Sequence, residues 1–309
     1  MRNEKLNSAM DRMMRIGWMM AGLVFMACSS EEEGNPRQTP EPENPSKYVV
    51  NIVTRTLERE GNGTGLQAGL YMVNCADGQQ TALLSDNNYV NNLLMNYSSG
   101  AWVTSQPICW QDANVNADFY AYAPYRETVD NARAMSFRVA TDQTTEDAFQ
   151  KSDLLWGCVL NQSPVTEGFS LILRHQLSQL TVSVTPGAGF SEGEMTADMV
   201  TVTIGGSKTH GTVDLQNGVV TATDEVADVK CRNNGDLTYT AILLPQQIAF
   251  VNLIHVNWNG NVYTLQNSFL LEARKQYQLT IKLNKAQGGL DIGISGWDII
   301  GEDFGGTVG

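Results

Sequence analysis

Tyr277-Gln278-Leu279-Thr280-Ile281-Lys282-Leu283 places an apolar residue at every second position. A period of two puts Tyr277, Leu279, Ile281 and Leu283 on one face of a half-buried strand, whereas a helix would need a repeat near 3.6. The same alternation recurs upstream in Thr181-Val182-Ser183-Val184-Thr185 and Val200-Thr201-Val202-Thr203-Ile204. Two Asn-Gly steps lie between apolar runs, Asn217-Gly218 and Asn259-Gly260, and each predicts a two-residue type I′ hairpin. Gly205-Gly206-Ser207-Lys208-Thr209 lacks the spacing of a phosphate loop and reads as a further hairpin turn. Glycine is plentiful and no long helical pattern is present, so the chain is expected to be all-β, built as two β-sandwiches.

Upstream strands are expected at Tyr48–Thr54, Gly69–Cys75, Ala101–Val103, Ala117–Tyr122 and Ala134–Val139, with Thr144–Asp153 an irregular link. Phe169–Leu173 would open the second sandwich. The organisation expected is therefore an N-terminal sandwich over 48–165 and a C-terminal one over 166–309, the latter ending in an extra tail strand, with the boundary near Pro164–Gly168.

Residues 1–27 have a different character. Arg12 and Arg15 precede twelve uncharged residues, Ile16–Ala27, and then come Cys28 and Ser29-Ser30-Glu31-Glu32-Glu33. A basic start, a short apolar run and a small residue before a cysteine make a lipoprotein signal peptide with Cys28 as the lipidated residue. Twelve residues fall short of the ~20 that a spanning helix needs. Residues 28–47, with Pro36, Pro40, Pro42 and Pro45 among polar residues, read as a flexible tether.

Charge excludes several functions. The chain carries a formal net charge of −13, and removal of residues 1–27 takes it to −15. Nucleic acid demands a basic face, and anionic lipid would repel such a chain, so membrane association must come from the lipid anchor itself. Cys75, Cys109, Cys158 and Cys231 are widely spaced, with no Cys-x-x-Cys. They could form two disulfides, although three lie in apolar strand-like runs where a free buried thiol is the commoner outcome. Of the three histidines, His175, His210 and His255, none has a partner at metal-binding spacing, and His175 reads as a packed or hydrogen-bonded structural residue. No Gly-x-Ser-x-Gly elbow is present. Trp110, Tyr120, Tyr122 and Tyr125 could stack on sugars, yet their strand-like spacing favours packing. No catalytic residue, metal or cofactor is expected.

Trp102, Phe119-Tyr120-Ala121-Tyr122-Ala123-Pro124-Tyr125, Thr141-Asp142-Gln143, Ser152-Asp153-Leu154-Leu155-Trp156-Gly157 and Leu173-Arg174-His175-Gln176-Leu177-Ser178-Gln179-Leu180-Thr181-Val182 follow one another in order. Together they resemble the fimbrillin-like surface lipoproteins of Bacteroides-type bacteria, and the resemblance covers essentially everything from Cys28 onward. It implies tandem transthyretin-like β-sandwiches, palmitate or a related acyl chain on Cys28, display on the cell outer membrane, and a fimbrial (pilus) subunit or fimbria-associated lipoprotein serving cell adhesion. The expected partners are other fimbrial subunits, the outer membrane through its lipid anchor, and a host or bacterial surface ligand.

The resemblance also implies assembly by protease-triggered strand exchange. Cleavage after a basic residue, with Arg55 and Arg59 both candidates, would remove the first strand and leave an apolar groove for a neighbour's strand. Arg55 could equally end a strand that stays in place. At the other end Leu290, Ile292 and Ile294 alternate within Gly289–Ile300 and could be that donor strand, or an extra edge strand of their own sandwich. The alternative function is a stand-alone surface lipoprotein that binds glycan or host protein without polymerising.

Overall fold

A computed structural model of the chain describes residues 49–52, 66–75, 81–84, 88–98, 101–286 and 289–301, with side chains up to Lys285. All lie within one unit, Tyr48–Gly309, and residues 1–47 lie outside the described residues. No helix among the described residues is long and apolar enough to cross a membrane.

The fold is all-β, as the alternation predicts. The strands are β1 (Gln67–Cys75), β2 (Val90–Ser98), β3 (Ala101–Thr104), β4 (Asn116–Ala123), β5 (Met135–Arg138), β6 (Leu155–Gln162), β7 (Arg174–His175), β8 (Ser178–Pro186) and β9 (Val200–Lys208). They continue with β10 (His210–Asp214), β11 (Val219–Ala222), β12 (Val226–Lys230), β13 (Arg232–Gly235), β14 (Thr238–Leu243), β15 (Gln246–Trp258), β16 (Asn261–Leu271), β17 (Gln276–Ala286) and β18 (Gly289–Gly301). Among the described residues four sheets result, ordered β3-β2-β1-β4-β6-β7, β11-β10-β5, β12-β9-β15-β16 and β13-β14-β8-β17-β18. Among the described strands the ladders are antiparallel except between β17 and β8, and two isolated bridges, Ile52↔Phe169 and Asp142↔Lys230, are also parallel.

The last two sheets enclose one core. Tyr277, Leu279, Ile281 and Leu283 of β17 and Leu180, Val182 and Val184 of β8 pack with Val202 and Ile204 of β9 and Ile254 and Val256 of β15. Their polar neighbours along the strands face outward, which is what a period of two dictates when one face is buried.

The centre of the six-stranded sheet, β1 and β4, is buried on both faces. In β4 every residue from Ala117 to Ala123 is buried. Phe119 and Ala121 face a core that includes Val50, Trp110, Phe169 and Leu171. Tyr120 and Tyr122 face another, shared with Phe137 of β5, Val213 of β10, Leu177 and Ile242. The three-stranded sheet joins the two halves of the chain, because β5 pairs with β10 from Met135↔Val213 to Arg138↔His210.

Several local expectations need correction. β2, Val-Asn-Asn-Leu-Leu-Met-Asn-Tyr-Ser, has no alternation, and only its pairing between β1 and β3 makes it a strand. The expected irregular link contains a helix, α1 (Glu146–Lys151), whose N-cap Thr145 accepts a hydrogen bond from the Ala148 amide. Six residues are too few to show a helical period. Gly205–Lys208 is no turn: β9 runs through it, with Gly206 at φ +67 beside the register shift against β12. The Asn259-Gly260 hairpin is the two-residue turn expected, with φ of 50 and 84 closing Trp258↔Asn261. At Asn217-Gly218 the loop is longer, because Asp214 pairs with Val219 and its carbonyl accepts from the Asn217 and Gly218 amides. Phe169, Leu171 and Leu173, expected to open a second sandwich, are buried in the core on β4.

Candidate functional site

The segment Val49–Ile52 enters the core as a short extended insert. Val49 bridges to Cys109, and the Val50 amide donates to the Ile108 carbonyl at 2.8 Å. On its other side Ile52 bridges to Phe169, whose amide donates to the Asn51 carbonyl at 3.1 Å. The Asn51 side-chain Nδ2 adds a hydrogen bond to the Thr166 carbonyl. Val50 and Ile52 are both buried, in the core that holds the Trp110, Phe119 and Phe169 rings. Phe119 and Phe169 lie 4.6 Å apart between ring centroids and Trp110 stands edge-on to Phe119 at 5.5 Å. Backbone pairing on two sides plus two buried aliphatics is the pattern of an inserted strand.

At the opposite end β18 lies on the edge of its sheet, antiparallel to β17. Leu290 stands opposite Lys285, Ile292 opposite Leu283 and Ile294 opposite Ile281. Cys28, Arg55 and Arg59 lie outside the described residues.

The motif residues have structural duties. The Gln143 side chain is fully buried and docks on one residue of β14: its Nε2 donates to the Ile242 carbonyl and its Oε1 accepts from the Ile242 amide, both at 2.8 Å. Asp142 bridges to Lys230, and the Gln143 amide donates to the Lys230 carbonyl at 3.0 Å. Trp156 Nε1 donates to the Leu215 carbonyl at 2.7 Å, and the hairpin turn at Gly218 lies against its ring. His175 Nδ1 and Asp153 Oδ1 are 2.7 Å apart, both side chains buried. That is a structural role for His175, with β7 held against β6 beside it. Gln143 gave no sign of its importance in the sequence beyond its place in the motif, since its partner is a backbone 99 residues away.

Cys75, Cys158 and Cys231 are free thiols, whereas Cys109, expected from its apolar run to be free as well, is disulfide-bonded. Burial, reinforced by the neighbouring Asp118 carboxylate, pushes Cys75 up to about 11. Burial also raises Cys158 and Cys231. Such thiols are poor nucleophiles. No cluster of His, Cys, Asp and Glu suited to a metal occurs among the described residues.

The family model described as fimbrillin-like matches residues 54–297. The chain belongs to the fimbrillin-like family, a family of structural fimbrial and adhesion proteins rather than enzymes. Membership implies association with other fimbrial subunits and a place at the cell surface or fimbrium. Among solved structures, a candidate cell-adhesion protein from Bacteroides uniformis is 17% identical at a TM-score of 0.61, covering 82% of this chain and 97% of its own. One of the same description from Bacteroides ovatus is 15% identical at a TM-score of 0.64, with 82% and 98% covered. A fimbrial protein from Bacteroides vulgatus is 10% identical at 0.51, with 82% and 99% covered. At such identities these structures share the fold alone. No curated protein matches the chain.

Proposed function

We propose that the chain is a fimbrial subunit or fimbria-associated surface lipoprotein, carried to the outer membrane by a lipid on Cys28 and, once cleavage separates it from that anchor, assembled by strand exchange. Cleavage after Arg55 or Arg59 releases the segment holding Val49–Ile52, and a strand from a neighbouring subunit takes its place. The donor is the C-terminal segment carrying Leu290, Ile292 and Ile294, which leaves β17 to do so. The two halves of the chain correspond to tandem transthyretin-like domains, and the assembled fibre serves adhesion.

The observation that carries this is the insertion of Val49–Ile52. Val50 and Ile52 are buried, and backbone hydrogen bonds run to Ile108 on one side and from Phe169 on the other. Removing the segment would uncover a trough with unpaired backbone groups on both walls, and an added strand satisfies both needs.

Limited trypsin treatment of the purified chain, followed by native and denaturing gels, tests it. A ladder of oligomers is expected from wild type and none from the Arg55→Ala, Arg59→Ala double variant. Truncation after Gly289 should give the same block. Mature protein that retains residues 48–55, with no oligomer at any trypsin dose, would overturn the strand-exchange proposal and leave a solitary surface binding module.

A further inference from the structure

The β12 ladder on β9 runs to Lys230↔Thr203, and one more bond, from the Cys231 amide to the Val202 carbonyl at 2.9 Å, holds the chain before it crosses to the opposite sheet through buried Cys231. The end of β9 is left uncovered, and a cavity of about 740 Å³ opens there. That lies within the ~300–1,000 Å³ of ordinary small-molecule sites. Its floor is a strip of β9, β15 and β16, including Thr201, Thr203, His255, Asn257 and Val262. One wall is the turn around Asp198, pinned where the Ala197 carbonyl accepts from Tyr239 Oη and Asn233 Nδ2. The other is Asp142–Thr144, held in place by buried Gln143. Both walls are anchored, so the cavity is preformed.

We infer that this cavity binds a short neutral oligosaccharide. Among the described residues no hydrogen-bond partner occupies the Asp198 carboxylate, the Thr201 and Thr203 hydroxyls, His255 Nε2 or Asn257 Nδ2. His255 is engaged only through Nδ1, with Thr264 Oγ1 at 3.4 Å, and Asn257 only through Oδ1, which accepts from the Gly260 amide. The set mixes donors, acceptors and groups that are both, which vicinal hydroxyls can satisfy at once. An anion is opposed by Asp142 and Asp198, whose two carboxylates outweigh Lys230, the one Lys or Arg in the lining, which pairs with Asp142 at 3.4 Å. An apolar ligand would strand the polar floor. Val262, more than half exposed, offers a C–H surface for one sugar face.

This deepens the adhesion part of the proposal above and does not depend on strand exchange. Saturation-transfer NMR on the full mature chain would use maltotriose, mannotriose, xylotriose and lacto-N-tetraose, with sialyllactose as the anionic comparison. At least one neutral sugar should show saturable transfer, weakened about tenfold or more in the Asp198→Ala, Thr203→Val double variant, since losing hydrogen bonds to a bound ligand has that scale. An Asp130→Asn control should bind as wild type does. Melting curves identify a misfolded variant, in which case Asp198→Ala alone, on an exposed side chain, decides the matter. No transfer from any neutral sugar at millimolar concentration, transfer from sialyllactose alone, or transfer undiminished in a folded variant would overturn the inference. The double variant should still form trypsin-induced ladders, so failure of sugar binding and failure of assembly are read separately.

Discussion

Replacing Gln143 by Met keeps a side chain of similar length and removes the amide that joins the first half of the chain to β14. The Ile242 amide and carbonyl each lose a partner at 2.8 Å, and the Ala140 carbonyl loses one at 3.1 Å. Gln143 is fully buried and Ile242 nearly so, so water cannot step in without opening the core. A buried group left unpaired costs about 1–3 kcal/mol. Two orphaned groups on Ile242, offset partly by the apolar Met, put the loss at about 3 kcal/mol. For a unit of this size each kcal/mol lowers Tm by about 2–4 °C, so Gln143→Met should melt roughly 6–12 °C below wild type. Urea titration followed by tryptophan fluorescence should show a lower midpoint with an unchanged slope, because the native surface is unaltered. Gln247→Met, on an exposed residue, should stay within about 0.5 kcal/mol of wild type. A Gln143→Met protein melting within about 2 °C of wild type would refute the reasoning, since it would mean that the Ile242 groups find other partners at no cost.

Gly218→Ala should destabilise by about 2 kcal/mol or more, because φ is +73 and a Cβ would stand 2.5 Å from Trp156 Cε3; chemical denaturation checks it. Cys75 and Cys231 should resist a thiol-labelling reagent at pH 8 in the native protein and react promptly once unfolded. The thiol of Cys75 ionises near 9.0 unfolded and at about 11 folded, so the unfolded state releases its proton first. Stability tied to Cys75 is therefore full below pH 9 and declines as pH rises towards 11, and a Cys75→Ser variant should lose that part of the alkaline decline. Cys28→Ala should leave the protein out of the membrane fraction and unlabelled by a fatty-acid probe. The acidic run after Cys28 resembles the signal that sends such lipoproteins to the outer face of the outer membrane, so replacing Glu31, Glu32 and Glu33 by Ala should retain the lipid but protect the chain from protease added to intact cells.

The alternation in Tyr277–Leu283, Thr181–Thr185 and Val200–Ile204 was enough to read an all-β fold, because a strand with one buried face writes its burial into every second residue. The Asn259-Gly260 turn was equally legible, since positive φ at two consecutive residues is a local demand met by local residue types. The order of motifs from Trp102 to Val182 pointed to the fimbrillin-like family, which the match over 54–297 shows. Other features were decided only at a distance. β2 has no pattern of its own and is a strand because β1 and β3 flank it. β4 is buried on both faces, so its hydrophobic run could not say which residues face which core. Gln143 and Trp156 are read correctly only beside Ile242 and Leu215, 99 and 59 residues away. The cavity over β9 belongs to the same class, because Asp142, Asp198, Thr203 and His255 sit on four separate segments and meet only where β12 leaves its neighbour. Local sequence sets the period and the turns; which edges stay open is settled by long-range pairing, to which no single segment holds the key.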